Sequence, residues 1–296
     1  MPPGGAPPGA EGDKSVSDTE TPPHLTQREI QSFQRLVREY YDRAGRTFPW
    51  RETTDPYRIL VSELMLQQTQ TARVVEKYVR FVDTLPDVSS LADVSTHEVL
   101  TLWQGLGYNR RALYLKKAAA VIVRDFNGII PNSEKFLLSL PGVGPATAGA
   151  VRAFAFNEPS VFVETNIRSV FIHHFFEGRD AVTDREILPL VEATLDRKNP
   201  RTWYWGLMDY GVHLKESKGN PAARSAHHTT QSPFRGSDRE IRGAVLALLV
   251  EKEVVTKEDI LARFPGETKR VERIVADLQQ EGFLDIRGNK IIARGD

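Results

Sequence analysis

The chain has 296 residues, enough for about two domains, and its charges balance at 39 Lys and Arg against 39 Asp and Glu. Zero net charge offers no global attraction to nucleic acid or to an anionic membrane surface. The lack of cysteine excludes disulfides, thiolate zinc sites and cysteine-ligated iron–sulfur clusters, and no apolar run reaches the ~18 residues a membrane helix needs.

Residues 1–25 are rich in Pro, Gly, Ser and acids, with no basic n-region and no apolar h-region. They read as a disordered tail, not a secretory signal. Helical patterns start at residue 26. "LTQREIQSFQRLVREYYDRAG" puts Ile30, Phe33, Leu36, Val37 and Tyr40 on one face and stops at Gly45, an expected C-cap. "YRILVSELMLQQTQ" follows, apolar on most sides. It contains Glu63, although carboxylates are seldom buried unless paired, and it ends in the uncharged polar group Gln67, Gln68, Thr69 and Gln70. "ARVVEKYVRFVDTLP" is a helix ended by Pro86. "STHEVLTLWQGLG" opens on a Ser95–Glu98 capping box, and "NRRALYLKKAAAVIVRDFNG" closes near Gly128. "NSEKFLLSLPGVGPATAGAVRAFAF" is two helices around a Gly/Pro turn, and "VFVETNIRSV" sets Glu164, Thr165 and Asn166 at a helix start. "DREILPLVEATLDRKN" and "RTWYWGLMDYGVHLKE" are further helices; no strand alternation interrupts this region.

Composition changes at "SKGNPAARSAHHTTQSPFRGSDRE", a linker or irregular wrap. Beyond it, "DREIRGAVLALLVEK", "TKEDILARF" (capping box Thr256–Asp259) and "TKRVERIVADLQQEG" predict three helices, and "FLDIRGNKIIAR" predicts a β-hairpin. Three helices and a hairpin within residues 237–296 suggest a winged-helix-like α+β domain. Such a unit serves DNA binding and protein contact equally well.

Two features carry chemistry. In "LPGVGPATAGAV" (140–151) the glycines allow a sharp bend and close backbone approach. The helix starting near Pro145 offers free N–H groups and a positive dipole end to a phosphate; a tight helix–helix corner without a ligand fits the spacing too. The second feature is a pair of carboxylates in apolar surroundings, Glu63 and Glu164, a common device for one acid and one anionic stabiliser. Two structural caps would look the same.

Four segments in order, "FPWRETTDPYRILVSELMLQQTQ", "LWQGLGYNRRALYL", "LPGVGPATAGAV" and "ETNIRSV", resemble the helix-hairpin-helix base-excision glycosylases of the endonuclease III superfamily, and within it the MutY-type adenine glycosylases. The resemblance covers about residues 28–215. It implies an all-α, two-lobed core at 26–235, with a six-helix lobe at about 57–160 and a second lobe from 26–56 plus 161–235. It implies hydrolysis of an N-glycosidic bond in double-stranded DNA carrying a mismatch or damaged base, most directly adenine opposite 8-oxoguanine or guanine. Removal of thymine or uracil from G mispairs, and lesion binding without catalysis, are the rival readings. By resemblance Glu63 is the general acid, Glu164 with Asn166 the oxocarbenium stabiliser, and Trp50, Arg51 and Asp209 a base pocket. Gln67, Gln68, Thr69, Gln70, Leu106, Tyr108, Arg110, Pro141, Gly142, Val143, Gly144, Ala146 and Thr147 would meet DNA, with Tyr108 as an aromatic wedge.

The departures from the family pattern are specific. The second carboxylate is Glu164 where relatives carry aspartate, one methylene longer. Ala146 stands where strand-cleaving members carry lysine; without an amine no Schiff base forms, so base removal without lyase activity is expected. The cluster cysteines are absent and Lys215 stands near the place of the first, so this loop must be held by packing and hydrogen bonds. His213, His227 and His228 lack an accompanying acid pattern and make no metal site. No metal and no cofactor are expected, although a monovalent cation at the hairpin is compatible with the turn. Residues 237–296 are too short for the C-terminal domain with which such enzymes read 8-oxoguanine. A cytoplasmic, nucleoid-associated monomer with no membrane contact is expected.

Overall fold

In a computed structural model, residues 24–252 and 254–294 are described; the expected tail lies outside them apart from its last two residues. Among the described residues no helix is long and apolar enough to cross a membrane. Between residues 26 and 225 the chain is helical, as expected. Helix α1 (Gln27–Ala44) starts on a Thr26–Glu29 capping box and buries Phe33 and Val37. Gly45 is its C-cap, as expected, in an extended conformation (φ −61°, ψ 135°). A Cβ there would lie 2.6 Å from the Tyr41 carbonyl oxygen, so close approach explains this glycine.

A 3-10 turn (Pro49–Arg51) leads into α2 (Pro56–Leu66), capped by Asp55. Then come α3 (Thr71–Thr84), α4 (Val88–Asp93), α5 (Thr96–Trp103) and α6 (Arg110–Phe126). The short α4 was not anticipated; its signal is the Asp87–Ser90 capping box. At α5 only half of the expected box forms: Ser95 accepts from the Glu98 N–H with no bond returned. Helices α7 (Glu134–Ser139) and α8 (Pro145–Phe156) flank the Gly/Pro turn. The second lobe is α1 with α9 (Thr165–Phe175), α10 (Asp184–Thr194) and α11 (Pro200–Lys218). One continuous apolar cluster runs through both lobes, from Phe33 through Leu64, Phe81 and Trp103 to Leu207 and Leu214.

The segment after α11, where no thiolate is available, is held by side chains. A 3-10 turn (Pro221–Arg224) presents Arg224, whose guanidinium donates to the carbonyls of Phe176 (2.8 Å) and Ile172 (3.4 Å) at the end of α9. Val182 and Ser225 form an isolated parallel bridge, with Ala226 N–H donating to Val182 O at 2.9 Å. His213 stacks among Tyr40 and Tyr210, and His227 accepts from the Asp184 N–H. Among the described residues no group of three metal-ligating side chains occurs.

The C-terminal unit runs α12 (Asp238–Lys252), β1 (Val254–Thr256), α13 (Lys257–Leu261), α14 (Thr268–Glu281), β2 (Leu284–Arg287) and β3 (Lys290–Ala293). The antiparallel order β1-β3-β2, with three helices, is winged-helix topology. Strand β1 was not foreseen, because three residues are too short for an alternation to show. The unit packs on the core: Leu100 of α5 and Leu113 of α6 belong to its apolar cluster. Glu281 accepts from both Arg242 (2.6 and 3.0 Å) and Arg110 (2.6 and 3.2 Å).

Candidate active site

A cavity of about 290 Å³ opens between the lobes. One wall is α2 and the start of α8, through Ile59, Glu63, Gln67, Ala146 and Thr147. The other carries Trp50, Arg51, Glu164, Asn166, Trp205 and Met208. The two carboxyl groups, a hundred residues apart in sequence, therefore border one space. No lysine is among the described residues that line it.

Glu63 sits on the pocket side of an otherwise buried helix: Val61, Leu64 and Met65 are fully enclosed. Loss of water pushes its pKa up, with the charge of Glu164 adding and Arg51 opposing, to about 8 against an ordinary 4.5. Glu63 thus holds a proton at neutral pH. Glu164 is the N-cap of α9. Its Oε1 accepts from the N–H groups of Asn166 and Ile167, both at 2.8 Å, and its Oε2 from Asn166 Nδ2 at 3.2 Å. Burial raises its pKa, while these donors pull the other way. The longer side chain folds back over the helix start, so the extra methylene does not carry the carboxylate out of the pocket. Glu164 is both a cap and a pocket carboxylate.

Arg51 is locked by Asp209: Nη1 donates to Oδ2 at 2.8 Å and Nη2 to Oδ1 at 2.9 Å. Arg46 joins from its backbone N–H and its Nε, both at 2.8 Å. Burial alone would raise the Asp209 pKa, but the two arginines hold it below the usual range. Asp209 was expected to line the base pocket. It lies behind it, buried and saturated by arginine, and Arg46, not singled out from sequence, lines the cavity instead. Trp50 lines the cavity too, stacked on Phe48 at 5.0 Å with 11° between the rings.

Helix α2 ends at Leu66, so Gln67–Gln70 form a loop, with Gln68 in the left-handed region at φ 55°. Gln67 Nε2 donates to Thr147 Oγ1 at 3.1 Å, linking this loop to the start of α8. Tyr108 is likewise left-handed (φ 46°) and 39% exposed, so it is no core residue. Leu106 turns inward and is buried, offering only its carbonyl. Arg110, expected to meet DNA, is paired with Glu281. In the hairpin Gly142 has φ 79°, and a Cβ there would strike Tyr114 Cβ at 2.7 Å. Val143 is buried, its N–H donating to Leu140 O, while Pro141 and Gly144 are half-buried. Gly144, the N-cap of α8, provides no side-chain acceptor, so the first-turn N–H groups of Ala146 and Thr147 lack a capping side chain.

Arg111 was missed. It is buried and donates to the carbonyls of Leu64, Met65, Gln67, Leu106, Gly107 and Tyr108 and to Thr69 Oγ1. One guanidinium thus ties the end of the Glu63 helix to the Leu106–Tyr108 loop. Burial lowers its pKa to about 10, so it stays charged at neutral pH.

Comparisons with known proteins show what the chain is similar to. Residues 61–192 match the family model of the HhH-GPD superfamily base excision DNA repair protein. The adenine DNA glycosylase of Mycobacterium tuberculosis is 33% identical over 267 residues, which are 83% of this chain and 88% of that protein. The adenine DNA glycosylase of Buchnera aphidicola subsp. Baizongia pistaciae is 38% identical over 143 residues, and the match spans 48% of this chain and 41% of that one. Among solved structures, a thermostable thymine-DNA glycosylase superposes with a TM-score of 0.56 at 27% identity, covering 62% of this chain and 87% of that one.

Proposed function

The chain belongs to the HhH-GPD superfamily of base excision DNA repair proteins, alongside the adenine DNA glycosylases, and on that premise we propose that it is a monofunctional glycosylase that removes adenine from a mispair in duplex DNA. The observation that carries this reading is the shared cavity of Glu63, protonated at neutral pH, and Glu164, oriented by α9.

The flipped adenine enters the cavity between the lobes. Glu63 gives its proton to N7, so the C1′–N9 bond breaks and its electron pair leaves with a neutral base. The sugar becomes an oxocarbenium ion, which the Glu164 carboxylate stabilises and Asn166 helps to orient. Water adds at C1′ and its proton passes to a carboxylate, leaving an abasic site. No lysine is among the described residues that line the cavity, so the sugar is not captured as a Schiff base and the strand stays intact.

Around the cavity, Gln67–Gln70 and Tyr108 face the duplex, and the uncapped start of α8 grips a backbone phosphate through Ala146 and Thr147 N–H. A monovalent cation bound by the carbonyls of the 140–144 turn would strengthen that grip; the reaction itself takes no cofactor. Action on chromosomal DNA places the protein in the nucleoid.

The test is a single-turnover assay on labelled duplexes containing A·8-oxoguanine, A·G, T·G or U·G, each with and without alkali. Breaks at adenine only after alkali support the reading. Breaks confined to T·G and U·G move the chain to mismatch thymine or uracil removal; one solved neighbour is a thymine-DNA glycosylase. Binding with no breaks at all, unchanged by Glu63→Gln, leaves a non-catalytic lesion binder.

A further inference from the structure

Between Ala226 and Gly236 the chain crosses the face of the core as a strap with no regular secondary structure. Both ends are fastened. At the start, Ala226 is bonded to Val182. At the end, Arg270 donates to the Gly236 carbonyl at 2.7 Å and to Asp238 at 2.6 Å. Arg239 clasps the middle, donating to Ser232 and Pro233 carbonyls and, at 3.0 Å, to Gln231 Oε1. That bond fixes the orientation of the Gln231 amide. Its Nε2 then points at two loop tips at once, Gln68 Oε1 at 3.4 Å and the Tyr108 hydroxyl.

These tips come from different loops and share an uncommon feature. Gln68 and Tyr108 are non-glycine residues in the left-handed region, each at a cost of about 1 kcal/mol or more that surrounding structure must hold. Arg111 supplies that hold, through Gln67 O on one side and the Leu106, Gly107 and Tyr108 carbonyls on the other. The strap thus delivers one oriented, uncharged amide to the point where two constrained side chains meet. An amide presents a donor and an acceptor side by side, the chemistry that pairs with base edges.

We propose that Gln231 is a specificity-determining residue: with DNA bound, its amide exchanges the Tyr108 hydroxyl for the edge of the nucleotide opposite the extruded base. The inference rests on the reading of Gln68 and Tyr108 as the DNA face. It gives the strap the task of inspecting the partner base.

The chain contains no cysteine, so Gln231→Cys and Tyr108→Cys each carry a unique thiol. Both are made in the full chain with Glu63→Gln, so that binding is read without turnover. Each is incubated under disulfide exchange with duplexes that carry a thiol-tethered base either opposite the target adenine or five pairs away. The expected result is crosslinking of both variants to the opposite position and of neither to the distant one. Crosslinking of Tyr108→Cys alone overturns the role of the strap, while absence of both overturns the DNA-face reading beneath it. In the enzyme with Glu63 intact, Gln231→Ala should shrink the rate ratio between A·8-oxoguanine and A·C duplexes by roughly tenfold, the loss of one base-edge contact. A uniform rise in DNA affinity on all duplexes would instead make the strap a competitor of DNA and overturn the proposal.

Discussion

Glu63 should couple catalysis to stability through one proton. Its pKa of about 8 in the folded chain stands against 4.5 for an ordinary glutamate. Between those values the unfolded chain has released the proton and the folded chain keeps it, so stability falls as pH rises through that window. At 1.36 kcal/mol per pH unit the loss reaches about 5 kcal/mol above pH 8, an upper limit because the cavity admits water. Glutamine has the same shape and no proton to lose. The unfolding free energy of Glu63→Gln, measured in urea against wild type, should therefore gain on wild type steadily from about pH 4.5 to pH 8 and then level off. Over the same range the wild-type single-turnover rate should hold, then fall tenfold per pH unit above about pH 8 as the acid ionises. Parallel stability curves for the two proteins, or a rate unchanged well above pH 8, would refute the assignment of a proton to Glu63.

Three further outcomes are expected. Glu164→Gln keeps a side-chain oxygen over the start of α9 but loses the charge, so it should cost under about 1 kcal/mol in denaturant unfolding while single-turnover excision drops at least a hundredfold; a variant that keeps its activity would reduce Glu164 to a cap. Arg111→Lys keeps a charge but not the fork, and it strands several of the carbonyls now bonded. A loss of roughly 3 kcal/mol or more in unfolding free energy is expected, and a change near zero would show that water satisfies those groups equally well. Gly211 lies on α11 against Asn166, and a Cβ there would come within 2.4 Å of the Asn166 carbonyl oxygen. Gly211→Ala should cost about 1–3 kcal/mol and shift Asn166 and Glu164, which a crystal structure or a fall in excision rate at full occupancy would detect.

The sequence by itself determined what depends on neighbours within a few residues. Helical periodicity, the box between Thr256 and Asp259, the Pro145 helix start and the Gly142 turn are local choices of backbone and hydrogen bond. The motif order also pointed to the two carboxylates and to the family. Tertiary structure decided which way each of these residues faces and what it meets. Arg110 and Arg111 are adjacent and chemically identical. One helical step sends the first out to Glu281 and the second into a nest of carbonyls from 64–67 and 106–108, and no local pattern marks the difference. Asp209 reads as a pocket acid until two arginines from 46 and 51 are seen to saturate it. Gln231, in a stretch that reads as a linker or irregular wrap, reaches Gln68 and Tyr108 across more than a hundred residues. The raised pKa of Glu63 belongs here too: an apolar helix hints at it, but the amount of water excluded depends on how the second lobe closes over the cavity.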